Sequence, residues 1–326
     1  MTVFDEIAAV IRGNESFALA SHIGPEADAL GSQLALRLIL EALGKEAFVV
    51  CRDPVPQSLR FLAGSNKVVL PRELVNTPID VWFVLDCGDL SRVGEEVHRL
   101  VADHPMIINI DHHQGNPRFG QINCVEDQPS TTVILYRLAR HLGLTITSPL
   151  ADCLYAGIVA DTDSFRNANV SSAVLQVAAQ LLEQGADSRE ISIQLYERRR
   201  PRELRLIARV LSEAQFDDGI IWGSISQEIF HDTGTGANDA ERLVEELRAT
   251  DGIRVAVLFK ELNHRRVKVS FRAKDHVAVN GIARVFGGGG HAQAAGCLVE
   301  GELEEVERRV LDELRRRLVA KGDHAG

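Results

Sequence analysis

The sequence lacks any Cys-x-x-Cys pair, and its five cysteines (Cys51, Cys87, Cys124, Cys153, Cys297) are scattered and odd in number. That spacing argues against a thiolate zinc site and a disulfide framework, and for a reducing cytoplasm. No stretch approaches the roughly 18 consecutive apolar residues that span a bilayer, so no membrane partner is expected. The opening MTVFDEIAAV has no basic segment leading into an apolar run, so no secretory signal is expected either. Positive charge is in deficit, with 36 Lys and Arg against 46 Asp and Glu and a formal charge of -10. A globally basic surface for wrapping long duplex nucleic acid is thereby disfavoured. A short anionic substrate is not, because local cations and bound metal outweigh an average field. Glycine and proline are too few for a fibrous or disordered chain, and 45% of the residues are apolar. The 326 residues are enough for two domains, each with its own core.

What is present is an alternation of strand-like and helix-like segments. Short apolar runs at 17–20, 47–51, 67–70, 81–85 and 106–110 read as strands, and the run VWFVL at 81–85 has the pattern of a strand buried on both faces. Helical periodicity covers 29–43, 130–142, 151–160 and 171–184. The alternation predicts an α/β fold with a mostly parallel sheet, whose ligand crevice lies beyond the C-terminal ends of the strands. The texture changes near 186. A charged helical stretch containing YERRRPRE reads as a connector, and a second, smaller α/β domain follows. It has strands at 219–226, 253–260, 266–271 and 297–299, with a turn at Asn263-His264, and helices at 238–248, 277–286 and 304–318. The expected domains are 1–186, a helical linker at 187–200, and 201–326, with the KGDHAG tail frayed.

Four polar clusters fall where the crevice is expected. HIGPEAD at 22–28 packs His22, Glu26 and Asp28 just past a strand, and Asp28 also suits a helix cap. Asp86 ends the most apolar strand, where an acid must cap, pair or bind a cation, and nearby Asp89 suits the cap of a helix near Ser91. Asp111-His112-His113 ends another strand. DTDSFR at 161–166 follows an apolar helix and reads equally as a polar turn. Carboxylates and imidazoles without thiolates suit hard or borderline divalent ions. Several acids converging on one crevice would repel one another without such ions, and a metal pair is well suited to phosphoryl chemistry.

In this order, HxxP-acid-x-D, a strand-end Asp, DHH and DTDSF resemble the DHH phosphoesterase family. RVKVSFR at 266–272 and GGGGHAQAAG at 287–296 resemble its DHH-associated C-terminal domain. The likeness spans nearly the whole chain and is nearest to the compact NrnA-type enzymes, which degrade nanoRNA and dephosphorylate 3'-phosphoadenosine 5'-phosphate (pAp). It implies two divalent ions, manganese first, with magnesium, cobalt or zinc as alternatives. His22, Glu26 and Asp86 would hold one ion, and Asp28, Asp86, His112 and Asp161 the other. Asp86 would bridge, His113 would contact the scissile phosphate, and Asp111 would orient the histidine pair. Arg272, the backbone at Gly288, Gly289 and Gly290, His291 and Arg166 would contact substrate, in a cleft between the domains. A homodimer is implied as well. Glu26 stands where the family usually has Asp, which puts affinity at that ion site in question.

The activity so implied is hydrolysis of short oligoribonucleotides to mononucleotides, and of pAp to AMP. A cyclic or linear dinucleotide phosphodiesterase (c-di-AMP, pApA, pGpG) uses the same chemistry, and a non-catalytic nucleotide sensor would follow if Glu26 marks lost turnover. A RecJ-like exonuclease and an inorganic pyrophosphatase fit less well, given the acidic charge, the lack of an added oligonucleotide-binding domain and the nucleotide-directed GGGGH. The glycine run is not a Walker A loop, because no GK[ST] follows it.

Overall fold

The computed structural model describes residues 2–240, 242–263, 265–274 and 277–322. His264, placed at the predicted hairpin turn, and residues 323–326 of the tail lie outside the described residues. The chain divides into two compact units, Met1–Arg198 and Arg199–Gly326.

The first unit opens with helix α1 (Val3–Gly13), started by a capping box between Thr2 and Asp5. Strand β1 (Ser16–Ala20), helix α2 (Ala27–Ala42) and strand β2 (Glu46–Val50) follow. Next come β3 (Val81–Leu85), α3 (Glu95–Val101), β4 (Ile107–Asp111) and β5 (Ile122–Val125). Helices α4 (Thr131–His141), α5 (Ser148–Asp161), α6 (Ser172–Glu183) and α7 (Ser188–Tyr196) complete it. The five strands pair in the order β2-β1-β3-β4-β5, every neighbour parallel. Every residue of β3 and β4 is buried, which is why β3 is a continuous apolar run and β4 is apolar except for Asp111 and Asn109, whose side-chain amide donates to the Val84 carbonyl. The strand order reverses between β1 and β3. Loops leaving these two neighbours diverge and open the crevice that such sheets use for ligands.

The second unit begins with α8 (Pro201–Ser212), followed by β6 (Gln215–Asp217), β7 (Ile220–Ile225), α9 (Gln227–Thr233) and α10 (Leu243–Arg248). Then come β8 (Val255–Asn263), β9 (Arg266–Ala273), α11 (Asn280–Val285), β10 (Gly289–Gly290), β11 (Ala294–Glu300) and α12 (Leu303–Gly322). Its six strands order as β10-β11-β9-β8-β7-β6, with β7 and β8 parallel and the other pairs antiparallel. One apolar cluster joins this sheet to α11 and α12, and another packs Ile221, Ile225, Ala256 and Leu258 under α8, α9 and α10.

Two segments depart from the sequence expectation. The predicted strand at 67–70 is a 3-10 turn (Ser65–Lys67) followed by one parallel bridge, Val69 to Val50, and Pro71 ends the pairing because it has no N–H to give. The predicted helix at 238–248 is a 3-10 turn (Ala237–Ala240) and the short α10. Much of the expected connector at 187–200 is α7, which buries Ile191 in the first core and donates the Tyr196 hydroxyl to the Val159 carbonyl at 3.1 Å.

Candidate metal centre

The crevice residues of the first unit come from three neighbouring strand ends and one helix end. His22 and Asp28 follow β1, Asp86 follows β3, Asp111 closes β4 with His112 and His113 after it, and Asp161 closes α5. The His112 Nε2 atom lies 3.2 Å from Asp161 Oδ2, 3.3 Å from Asp86 Oδ1 and 3.8 Å from Asp28 Oδ2. His22 Nε2 reaches the other Asp86 oxygen at 3.7 Å. Asp28, Asp86 and His112 each offer a ligand atom within 4.8 Å of the others, as do Asp86, Asp111 and His113.

Each histidine has its tautomer set from behind. A carbonyl oxygen only accepts, so the Nδ1 of His112, 3.0 Å from the Gln128 carbonyl, carries a proton and donates it. The same holds for His22 and its neighbour's carbonyl, Ile23 O, at 2.9 Å. His113 Nδ1 donates to Asp111 Oδ1 at 2.7 Å, and Asn116 Nδ2 donates to the other oxygen of that acid at 2.6 Å. When neutral, His22 and His112 therefore carry their lone pair on Nε2, the nitrogen they turn toward the acids, as metal-binding imidazoles are held.

The electrostatics describe a site short of positive charge. Burial, and then the charges of Asp86 and Asp161, push the Asp28 carboxyl well above the usual range. Burial also pushes Asp161 up, against the pull of His112. Burial would raise Asp86 and lower His112, but the hydrogen bonds and charges between them win, so Asp86 is held well below and His112 well above its ordinary value. Three carboxylates and an imidazole in one crevice cannot all be deprotonated unless a cation balances them. The donor set, oxygens and imidazole nitrogens with buried Asp28 and Asp86 at its centre, fits divalent ions.

Backbone geometry is bent to deliver these groups. Asp86 has φ of 48°, and Asp163, Ser164 and Phe165 are a run of three further left-handed non-glycine residues. Thr162, fully buried, holds that run by accepting the Phe165 N–H on its hydroxyl and donating the hydroxyl to the Ile158 carbonyl. DTDSFR is thus the turn the sequence suggested, and it sets Asp161 beside His112.

The remaining expected residues fall as follows. Glu26 is the exposed N-cap residue of α2, makes no side-chain cap bond, and is in none of the close ligand groups found among the described residues of this unit. Asp28 does not cap its own helix; it caps α4 instead, accepting the N–H groups of Thr131 and Thr132. Asp89 caps a 3-10 turn through Ser91. Arg166 has an exposed guanidinium tied to Asp163 at 2.8 Å. In the second unit, burial alternates along β9, placing Arg266, Lys268 and Arg272 on one face. Arg272 is paired with Glu245 of α10 at 2.7 Å. Gly288 and Gly290 are required by packing, since a Cβ would meet the Gly296 carbonyl at 2.1 Å and the Ala294 carbonyl at 2.5 Å; at Gly289 it would meet nothing within 4 Å. His291 follows β10 in the same loop.

Sequence reasoning missed Gly157, in the middle of α5. A Cβ there would lie 2.6 Å from Asp28 Oδ1 and 2.5 Å from the Thr132 methyl. A glycine inside a strongly apolar helical pattern was the available signal.

The DHH family N-terminal domain matches residues 16–158, and the DHHA1 domain matches residues 223–320. The chain is 36% identical to the bifunctional oligoribonuclease and PAP phosphatase NrnA of Thermus thermophilus, over 97% of this chain and 94% of that one. It is 28% identical to the Bacillus subtilis protein of the same name, over 94% and 96%. An exopolyphosphatase-related protein from Bacteroides fragilis has a similar solved structure, with a TM-score of 0.90, 25% identity, and 96% of each chain covered. With its acid and histidine crevice at the strand ends and a separate mixed-sheet domain after it, the chain belongs to the DHH family and carries a DHHA1 domain.

Proposed function

We propose that this chain is a divalent-metal-dependent phosphoesterase that hydrolyses short oligoribonucleotides to mononucleotides and removes a phosphate from pAp to give AMP. One observation carries the reading: Asp28, Asp86 and Asp161 converge within 3.8 Å of a single imidazole nitrogen at the switch point of a parallel sheet. The names borne by relatives that match along nearly all of the chain support the substrate class.

In this reading His22, Asp28, Asp86, His112 and Asp161 would hold two divalent ions, and Glu26, exposed at the start of α2, would join them only by turning its side chain inward. Bound divalent ions, manganese among them, make water a nucleophile at neutral pH and neutralise phosphoryl oxygens. Hydrolysis joins a water oxygen to phosphorus, breaks the bond to the leaving ribose oxygen, and returns a proton to that oxygen. His113 stands on the Asp111-Asn116 support, which fixes its ring to meet the charge developing on the phosphate. Arg272 and the loop of Gly288, Gly289, Gly290 and His291 grip the nucleotide, and Arg166 steadies Asp163 beside it. Five free, buried cysteines are in keeping with a reducing compartment.

The test is product release from a labelled RNA dinucleotide, with pAp and cyclic di-AMP in parallel, in manganese and in chelator. Metal-dependent conversion of the dinucleotide to mononucleotides and of pAp to AMP is expected. Nucleotide binding without turnover in any divalent metal would replace the enzyme with a sensor.

A further inference from the structure

The segment 128–132, which leads from the β5–α4 loop into the first turn of α4, has no acid or histidine of its own and reads from the sequence only as a helix start. In the fold it touches three of the site's side chains. Its Gln128 carbonyl accepts the His112 Nδ1 proton. The Thr131 N–H donates to Asp28 Oδ2 at 2.7 Å, and the Thr132 N–H to Asp28 Oδ1 at 3.1 Å. The Thr131 hydroxyl donates to Asp86 Oδ1 at 3.2 Å. Its neighbours' hydroxyls are engaged with each other, Ser130 Oγ lying 2.8 Å from Thr132 Oγ1, so Thr131 is the residue of this segment whose side chain reaches Asp86.

Thr131 is fully buried, and it spans two acids that repel each other. Its backbone N–H holds Asp28 by one oxygen while its hydroxyl holds Asp86 by one oxygen. The second bond also fixes the rotation of the Asp86 carboxylate. With Oδ1 tied to Thr131 and 3.3 Å from His112, Oδ2 is turned to the opposite side, toward His22. In this orientation Asp86 would have one oxygen available on each side of the crevice, and the Thr131 hydroxyl is the side-chain donor that sets it.

We propose that Thr131 is a positioning residue of the metal centre, which sets the spacing of Asp28 and Asp86 and the rotation of the Asp86 carboxylate. This rests on the two-ion reading above. It assigns the site a determinant outside the acids and histidines, one that touches no substrate. Partners that orient metal ligands typically account for about 10- to 100-fold in metal affinity.

The experiment is a calorimetric titration of the full chain with Mn2+, together with the melting temperature of the metal-free and metal-loaded protein. Thr131→Val keeps the shape and the backbone N–H and removes the donor, while Thr131→Ser keeps the donor. Thr131→Val is expected to weaken at least one Mn2+ step by about 10- to 100-fold, and Thr131→Ser to restore it. The metal-free melting temperature of the valine variant should stay close to that of the parent. Unchanged Mn2+ affinity in Thr131→Val, or a lowered metal-free melting temperature with affinity intact, would overturn the proposal. If the valine variant does not fold, Thr131→Ala is read in the same way. A parent chain that binds no divalent ion would instead sink the two-ion reading itself.

Discussion

The two domains immobilise their charged groups by opposite means. In the first, acids face one another around His112, and the groups that hold them are N–H donors, a hydroxyl and imidazoles, none with a fixed positive charge. In the second, Arg272 already has its counter-charge in Glu245, and the neighbouring glycines present backbone to one another. The first arrangement is unbalanced until a cation enters. The second is balanced as it stands, so an anion binding Arg272 competes with Glu245 or uses the remaining N–H groups. On the proposed function, a change in the first domain should therefore show in metal binding and turnover, and a change in the second in substrate affinity.

The largest effect is expected from Asp86→Asn, which removes the acid shared by both sides of the crevice; Mn2+ calorimetry should show lost binding and assays turnover at background. His113→Ala should come next, lowering kcat by about 100- to 1000-fold, as for loss of a donor aimed at developing charge. Mn2+ affinity should be largely retained, which would separate His113 from the ligands.

Metal affinity should also fall with pH. Asp28, Asp161 and His112 all have raised pKa values, so protons compete with an incoming ion at each of them to higher pH than usual. Raising the pH removes those protons and strengthens binding, and lowering it weakens binding. Titrations in buffers of different ionisation enthalpy would show the proton release directly, and pH-independent affinity would contradict it.

In the second domain, Arg272→Ala should raise KM for a dinucleotide by about 10-fold or more, as expected for a charge-assisted hydrogen bond, with kcat little altered. The smallest structural effect belongs to the glycines. Gly288→Ala should destabilise the fold by about 1–3 kcal/mol through overpacking. Gly289→Ala, with open space for its Cβ, should fall within about 0.5 kcal/mol. A raised KM in Gly289→Ala at unchanged melting temperature would mark that backbone as a substrate contact.

Much of the first domain was legible because its grammar is local. Apolar runs gave β1, β3 and β4 nearly to the residue, and the polar residues at their ends are the ones that converge. The strand at 67–70 failed because pairing depends on partners and on Pro71, and the run itself is too short to decide. That α7, within the helical stretch at 187–200, packs Ile191 into the first core could not be read locally, because its partners lie elsewhere in the sequence. Within the site, residues with chemistry of their own, such as His112 or Asp161, announce themselves. Thr131, Asn116 and Gly157 act by donating one bond or by taking no space, and only the fold reveals to which neighbour. The partner of Arg272 was equally hidden, since Glu245 lies on a separate helix.

Gly157 has a consequence for how this chain's lineage is read. Alanine in the middle of a helix is ordinarily favoured over glycine by about 1 kcal/mol, so drift should replace a helical glycine wherever it is free to do so. At 157 it is not free while the Asp28 carboxylate and the Thr132 methyl occupy the place of the missing side chain. A paralogue that shed its ions and lost both of those side chains would be released from the constraint, and alanine or serine would accumulate there. Glycine at this helical position, silent in any motif, is thus tied to the presence of Asp28 and Thr132 beside it.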